Sequence, residues 1–161
     1  ISDNTAANLA LDAIGGARTF TAFMRSIGDD KTRLDRREPE LNEATPGDAR
    51  DTTTPIAAAR SLQTLLLDGV LSAPARNELT QWMLGDQVAD ALLRAGLPRD
   101  WQIADKSGAG GHGSRSIIAV VWPPKRSAVI VAIYITQTAA SMSASNQAVS
   151  RIGSALAKAL Q

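Results

Sequence analysis

Apolar residues recur along this chain of 161 residues with two different periods. In the first part they fall three or four positions apart, which is the spacing of an amphipathic helix. This spacing predicts helices over 6–14, 19–27, 55–67, 73–84 and 88–95, and it returns over 143–160. Between them, extended patterns predict strands over 101–106, 115–122 and 127–136, the last two rich in valine and isoleucine.

Capping and breaking residues delimit these elements. Residues 2–4 can cap the first helix, and the glycine pair at 15–16 ends it. Thr54 is the predicted cap of the third helix, with Pro55 at its first position. The periodicity is lost over 29–54, where charges, two prolines and a glycine are concentrated. A loop of that length inside a compact domain is uncommon and is usually functional.

The order of the predicted elements is helices, long loop, helices, three antiparallel strands and a final helix, which indicates an α+β fold. We expect an all-helical part over 1–98 that includes the loop, and a sheet part with its terminal helix over 99–161. In that last helix, the predicted core-facing residues are Val149, Ile152, Leu156 and Leu160.

Composition removes several classes of function. Apolar residues make up 44% of the chain and charged residues 20%, which is typical of a globular protein and argues against disorder. A net charge of +1 gives no reason to expect nucleic acid or an anionic membrane as partner. Cysteine is absent and His112 is the single histidine, in a glycine-rich run typical of a turn. We therefore expect no metal site, no cofactor and no serine–histidine–aspartate triad.

Neither a transmembrane helix nor a signal peptide is predicted. The longest apolar stretch, 128–135, is far shorter than the roughly 20 residues that span a bilayer. The chain opens on Ile-Ser-Asp-Asn, without the basic and apolar regions of an export signal.

Three short motifs occur in a fixed order. The first is Ser2-Asp3-Asn4, the second is Arg-Leu-Asp-Arg-Arg-Glu-Pro-Glu-Leu-Asn at 33–42, followed by Arg-Asp-Thr-Thr-Thr-Pro at 50–55, and the third is Lys106-Ser107-Gly108. Together these motifs resemble those of class A serine β-lactamases, in which S-D-N and K-T-G accompany S-x-x-K. The resemblance covers essentially the whole chain and implies a β-lactamase/transpeptidase-like fold, with an antiparallel sheet flanked by helices.

The resemblance identifies 33–51 as the omega loop and assigns it the base. Glu38 would activate the water that deacylates the enzyme, and Asn42 would hold the same water; the part of this glutamate in acylation is disputed. A cis peptide is implied between Glu38 and Pro39. Arg36 and Asp51 correspond to the ion pair at the neck of the loop, where bidentate geometry could clamp it.

The other two motifs are expected to contact the β-lactam. Ser2 would relay a proton to the lactam nitrogen, Lys106 would lie across the cleft from it, and Asn4 would bind the side-chain amide of the substrate. Asp3 is given a structural role. The remaining substrate-binding residues implied by the resemblance are Ser107, Gly108, Arg115 and Ala109, the last through a backbone N–H of the oxyanion hole.

The S-x-x-K motif of the nucleophile is absent. The lysines are Lys31, Lys106, Lys125 and Lys158, and the residues three positions before them are Gly28, Ile103, Trp122 and Ala155. In the family the nucleophile lies upstream of S-D-N, so the expected partner is the upstream N-terminal segment of the same protein. We expect the chain alone to fold poorly and to be hydrolytically inert, and a complementing fragment to restore both properties.

The resemblance further implies a monomeric bacterial enzyme, periplasmic or secreted, that acts on penicillins. The stretch 108–122 is most similar to the carbenicillin-hydrolysing branch, although Lys106 stands where that branch commonly has arginine. Two competing interpretations stay open: an inactive complementation fragment or β-lactam sensor, and a penicillin-binding transpeptidase-like protein. Glu38 and Asn42 argue against the second, because such a protein would lack the glutamate-bearing loop.

Overall fold

The computed structural model describes residues 2–160, and they form five α-helices, two short 3₁₀ helices and one three-stranded sheet. The helices are α1 (Asn4–Ala13), α2 (Ala17–Ser26), α3 (Pro55–Leu66), α4 (Ala73–Leu84) and α5 (Met142–Leu160), and the strands are β1 (Gln102–Gly110), β2 (Ser114–Trp122) and β3 (Val129–Ile135). The predicted α+β class is confirmed. In the described residues, no helix is long and apolar enough to cross a membrane.

Local sequence explains most helix boundaries. The Asp3 side chain accepts the N–H of Ala6 and caps α1, while Thr54 caps α3 with Pro55 at its first position, as predicted. Helix α1 ends before the glycine pair at 15–16, whose φ angles of 93° and 88° favour glycine. Helix α4 has the predicted bounds.

The sheet is antiparallel in the order β1-β2-β3 and is covered by helices on both faces. Ile117, Ala119 and Val121 of β2 pack with Val149 of α5 on one face. On the other face, Val120 packs with Leu62 and Leu66 of α3 and with a methionine of α4. The alternation along β2 therefore holds α5 on one face and α3 and α4 on the other.

Two sequence predictions about this part are wrong. No α-helix spans 88–95; a 3₁₀ helix occupies only Leu93–Gly96. Its backbone is fixed by close packing on α5, since a Cβ on Gly96 would lie 1.9 Å from the Ser150 carbonyl oxygen. On α5 the predicted Val149 is buried and Leu156 and Leu160 are half-buried, but Ile152 is 46% exposed. The buried stripe of the helix is Ser145, Val149, Gly153 and Ala157. Small residues let the two backbones approach, and this contact, more than side-chain size, selects the buried face.

Strand β1 continues to Gly110, four residues beyond its predicted end. Its last residues, Ser107 to Gly110, are small and have low strand propensity, but each pairs with β2. Pairing with a strongly apolar neighbour therefore extends the strand, and it places the Lys-Ser-Gly motif inside the ladder.

Candidate functional site

Helix α1 holds the backbone of Glu38. The Asn8 side chain donates from Nδ2 to the Glu38 carbonyl at 2.9 Å and accepts the Glu38 N–H at Oδ1 at 3.0 Å. An α-helix rises about 1.5 Å per residue, so Asn4 lies about 6 Å from Asn8 along the axis and on the same face. The helix thus links the Ser-Asp-Asn motif to the glutamate of the loop.

The side chain of Glu38 faces that of Asn42. A 3₁₀ helix, Glu40–Asn42, follows Pro39 and turns the Asn42 amide back, so that Nδ2 donates to the carboxylate Oε2 of Glu38. The Glu38–Pro39 peptide is cis, as the resemblance implies. Both side chains are half-buried. A carboxylate held beside an amide can bind a water between them and accept its proton.

The neck of the loop is closed by Asp51, which is nearly buried. Its Oδ1 accepts the backbone N–H groups of Asp35 and Arg36 at 2.7 and 2.9 Å, and its Oδ2 accepts the Nε–H of Arg36 at 2.5 Å. Burial raises the pKa of Asp51, but these hydrogen bonds lower it by more than burial raises it, so the net shift is downward. The expected ion pair is present but is not bidentate, because Nη1 of Arg36 contacts Glu43 instead.

A second buried carboxylate, Asp29, anchors the start of the loop to α3. It accepts the hydroxyls of Thr32 and Ser61 and the backbone N–H groups of Lys31 and Thr32. Burial raises the pKa of Asp29, and the hydrogen bonds lower it more strongly, to about 2. Asp29 is therefore ionised at neutral pH and joins the first residues of the loop to Ser61 of α3.

The far side of the loop contacts the turn between β1 and β2. The N–H of Gly111 donates to the Asn42 carbonyl at 2.8 Å. A Cβ at Gly110 would lie 2.6 Å from the Asn42 carbonyl oxygen, and one at Gly111 would lie 2.3 Å from the carbonyl oxygen of Glu43. Only glycine allows this approach, so the two glycines set the distance between loop and strand.

Arg115 on β2 is a buried cation beside the Lys-Ser-Gly motif. It donates from Nε to Oδ1 of Asn146 at 2.9 Å and from Nη1 to the Gly108 carbonyl at 3.0 Å. Burial lowers the pKa of Arg115, although arginine stays charged in proteins. In residues 2–160, no carboxylate forms an ion pair with it. Such a cation suits an anionic ligand.

The remaining residues of the motif lie along β1. Ala109 pairs with Arg115 in the ladder, and Lys106 with Ile118. The Lys106 Nζ donates to the Ser107 carbonyl at 3.0 Å. Asp105, just before this lysine, is fully buried and forms an ion pair with Arg94. This ion pair anchors β1 at the point where the motif begins.

Ser2 and Asn4 are exposed at the start of α1, and Asp3 between them is the helix cap. In the described part of the chain, no hydrogen bond joins Ser2 or Lys106 to Glu38. The direct contacts therefore form three groups: Glu38 with Asn42, Arg36 with Asp51, and Gly108 with Arg115. Helix α1 and the β1–β2 turn bring these groups to one region.

A cavity of about 590 Å³ lies between the loop and the ends of the strands. Asn42, Gly108, Ala109 and Arg115 line it, together with Arg36 and Asp51. Glu38 and Lys106 are not in its lining, so the cavity includes only part of the expected site. No group of three or more acidic, histidine or cysteine side chains in the described residues could hold a metal.

Sequence reasoning missed Asn8 and Asn146. Asn8 follows Asn4 by one helical turn, and a second asparagine on that face was a usable signal. Asn146 is 31 residues from Arg115, and nothing local in the sequence connects the two.

A family model and curated relatives both match this chain to β-lactamases. The Beta-lactamase enzyme family matches residues 1–160. The chain is 69% identical over 152 residues to β-lactamase AER-1 of Aeromonas hydrophila, an alignment that covers 94% of this chain and 50% of that protein. It is 54% identical over 152 residues to CARB-3 of Pseudomonas aeruginosa, covering 94% and 53%.

Solved structures of β-lactamases have the same fold as this chain. An ancestral class A β-lactamase has a TM-score of 0.96 and 52% identity, covering 98% of this chain and 60% of that one. The chromosome-encoded β-lactamase of Vibrio parahaemolyticus has a TM-score of 0.95 and 49% identity, covering 99% and 60%. The chain thus spans about half the length of the curated relatives it matches. From the matched profile, the identities and the shared fold, we conclude that this chain belongs to the β-lactamase enzyme family.

Proposed function

We propose that this chain forms the part of a class A β-lactamase that carries the deacylating base, and that the complete enzyme hydrolyses β-lactams through a serine acyl-enzyme. The serine comes from residues outside these 161, because S-x-x-K is absent here and the relatives are about twice as long. In this proposal, Glu38 takes a proton from a water while the water oxygen attacks the acyl carbon. The ester bond to the serine then breaks, and the serine oxygen regains that proton.

The observation that carries the proposal is the way Glu38 is held. Asn8 fixes both polar groups of its backbone, and Asn42 contacts its carboxylate. A general base works only if its oxygen and the water stay within hydrogen-bond reach. A merely solvated loop carboxylate would not need three hydrogen bonds from two elements.

The binding groups suit a small substrate with a carboxylate. Arg115 is the anchor for that group, and Lys106 and Ser107 precede it on the neighbouring strand. Ala109 offers a backbone N–H to the oxyanion, while Ser2 relays the proton and Asn4 binds the substrate amide. Penicillins are the proposed substrates. The complete enzyme is proposed to be monomeric and periplasmic or secreted, with no nucleic-acid or membrane partner.

A chimera tests the proposal directly. These 161 residues would replace the corresponding segment of AER-1, which is 69% identical over the aligned region, and turnover of nitrocefin and benzylpenicillin would be measured. We expect hydrolysis by the chimera and none by the 161-residue chain alone. An inactive but folded chimera would refute the proposal, as would turnover by the chain alone at the rate of intact AER-1.

The alternatives drawn from the sequence, a complementation fragment or β-lactam sensor without activity of its own and a penicillin-binding transpeptidase-like protein, are not favoured by the family match. Mass spectrometry after incubation with benzylpenicillin separates the cases. The chimera should carry an adduct that disappears within one turnover, whereas a sensor or a penicillin-binding protein would retain it.

A further inference from the structure

Helix α1 contacts the loop at a second residue, one position before Glu38. Arg37 donates from Nη1 and Nη2 to the two carboxylate oxygens of Asp12, at 2.5 and 2.9 Å. This fork-to-fork geometry is the most directional form of an ion pair. It lowers the pKa of Asp12 and raises that of Arg37, so both groups are charged at neutral pH.

Asp12 and Asn8 are four residues apart and share one face of α1. Asn8 binds the backbone of Glu38, and Asp12 binds the side chain of Arg37. Two successive turns of one helix therefore hold two successive residues of the loop. The second contact prevents the loop from pivoting about the first, which would rotate the Glu38 carboxylate.

Other exposed ion pairs of the loop do not reach a helix. Arg33 pairs with Asp35 and Arg50 with Asp48, each two residues away. The Arg37–Asp12 pair spans 25 residues of sequence and joins two elements. Both of its side chains are about half exposed, 48% and 54%, so its effect on global stability is small. Its effect is on orientation.

We propose that Asp12 and Arg37 are positioning residues, which orient Glu38 for deacylation by fixing the loop to α1. The proposal rests on the proposed function of Glu38. Loss of the pair leaves Glu38 in place but less often aligned with the water, so deacylation slows while substrate binding is retained. The expected size is a reduction of about two- to fivefold, which is the scale of an exposed ion pair.

The test uses the AER-1 chimera with Arg37→Gln, Asp12→Asn, the double variant and the swapped pair Asp12→Arg/Arg37→Asp. Acyl-enzyme decay is followed by mass spectrometry in single-turnover experiments with benzylpenicillin, alongside kcat and KM. Each single variant should slow decay and lower kcat and KM together, the double variant should be no slower than either single one, and the swap should regain most of the rate.

Arg33→Gln is the matched control, since it removes one charge from a loop arginine of similar exposure, 45%, whose partner lies within the loop. It should leave the decay rate unchanged. Unchanged decay in Arg37→Gln, additive losses in the double variant, or an equal effect of Arg33→Gln would each overturn the proposal. An inactive unmodified chimera would refute the proposed function itself. An active chimera whose Arg37→Gln variant decays at the normal rate would refute only the positioning role, so the two failures are distinguishable.

Discussion

At the scale of single residues, the most informative feature is that each important carboxylate has a different environment. Glu38 is half-buried beside an amide, Asp51 is held by backbone N–H groups at the loop neck, and Asp29 is buried against α3. The motifs include Glu38 and Asp51, and the loss of periodicity begins at Asp29. Only the contacts separate a proposed base from two structural anchors.

Glu38→Gln in the chimera should convert rapid turnover into accumulation of acyl-enzyme. Glutamine keeps the size and the contact with Asn42 but cannot take a proton from water. General-base catalysis is worth about 10²- to 10⁴-fold, so kcat should fall by that factor. Glu40→Gln, two residues away and exposed, is the control and should keep normal turnover. Stopped-flow absorbance with intact-mass analysis measures both, and equal losses in the two variants would contradict the role of Glu38.

Asp29 predicts a dependence of stability on pH. Its pKa is about 2 in the folded chain, below the ordinary 3.8. Because the pKa is lowered on folding, ionised Asp29 stabilises the folded state fully above about pH 4, and this contribution is lost as the pH falls towards 2. Asp29→Asn should cost about 2 kcal/mol at pH 7 and progressively less below pH 4. Denaturant unfolding of the chimera at several pH values tests this, with the exposed Asp30→Asn as control; a loss independent of pH would refute it.

The resemblance to class A β-lactamases singled out Glu38, Asn42 and the Arg36–Asp51 pair, because all four residues lie inside the matched motifs. The sequence could not give Asn146 as the partner of Arg115, or Asp12 as the partner of Arg37, since these pairs form only when distant elements meet. The catalytic and binding roles remain predictions.

At the scale of elements, predictions succeeded where local signals were strong. Caps, proline and glycine fixed α1, α3 and α4, and runs of valine and isoleucine fixed the middle of β2 and β3. They failed at 88–95 and at Ile152 on α5, where a contact between two backbones decides the structure. Helical periodicity carries no information on such a contact.

That contact can be tested by adding one methyl group. A Cβ on Gly153 would lie 2.7 Å from the Leu93 carbonyl oxygen, so Gly153→Ala must push α5 away from the 3₁₀ helix. Alanine favours helix by about 1 kcal/mol, but overpacking costs about 1 to 3 kcal/mol, so we expect net destabilisation of up to about 2 kcal/mol. Ser154→Ala, exposed on the same helix, is the control. Denaturant unfolding of the chimera measures both, and a more stable Gly153→Ala would show that the packing is loose.

At the scale of the whole molecule, both outer strands of the sheet, β1 and β3, have an unpaired edge in the described residues, and β3 is the one without a charged residue. Strand β3 pairs only with β2 among residues 2–160, and its sequence, Val-Ile-Val-Ala-Ile-Tyr-Ile, has no charge and no proline. Several of its side chains pack on the two cores, which explains why the strand is ordered. The division into 1–98 and 99–161 stays a prediction, although α3 and α4 pack directly on the sheet.

An open apolar edge predicts self-association of the chain in isolation. Unpaired N–H and C=O groups of an uncharged strand are a template for another strand, and natural edges are protected by lysine or proline. Tyr134 is 38% exposed on β3, so Tyr134→Lys should lower the oligomer fraction of the 161-residue chain at a given concentration. Trp82→Lys is the stringent control, because Trp82 is more exposed, 67%, but lies on α4, whose main strand contact is β1 and not β3. Light scattering after size exclusion measures the oligomers.

Two outcomes would contradict this prediction. If Trp82→Lys reduces association and Tyr134→Lys does not, the association is caused by general apolar exposure and not by the edge of β3. A monomeric unmodified chain would refute the prediction outright.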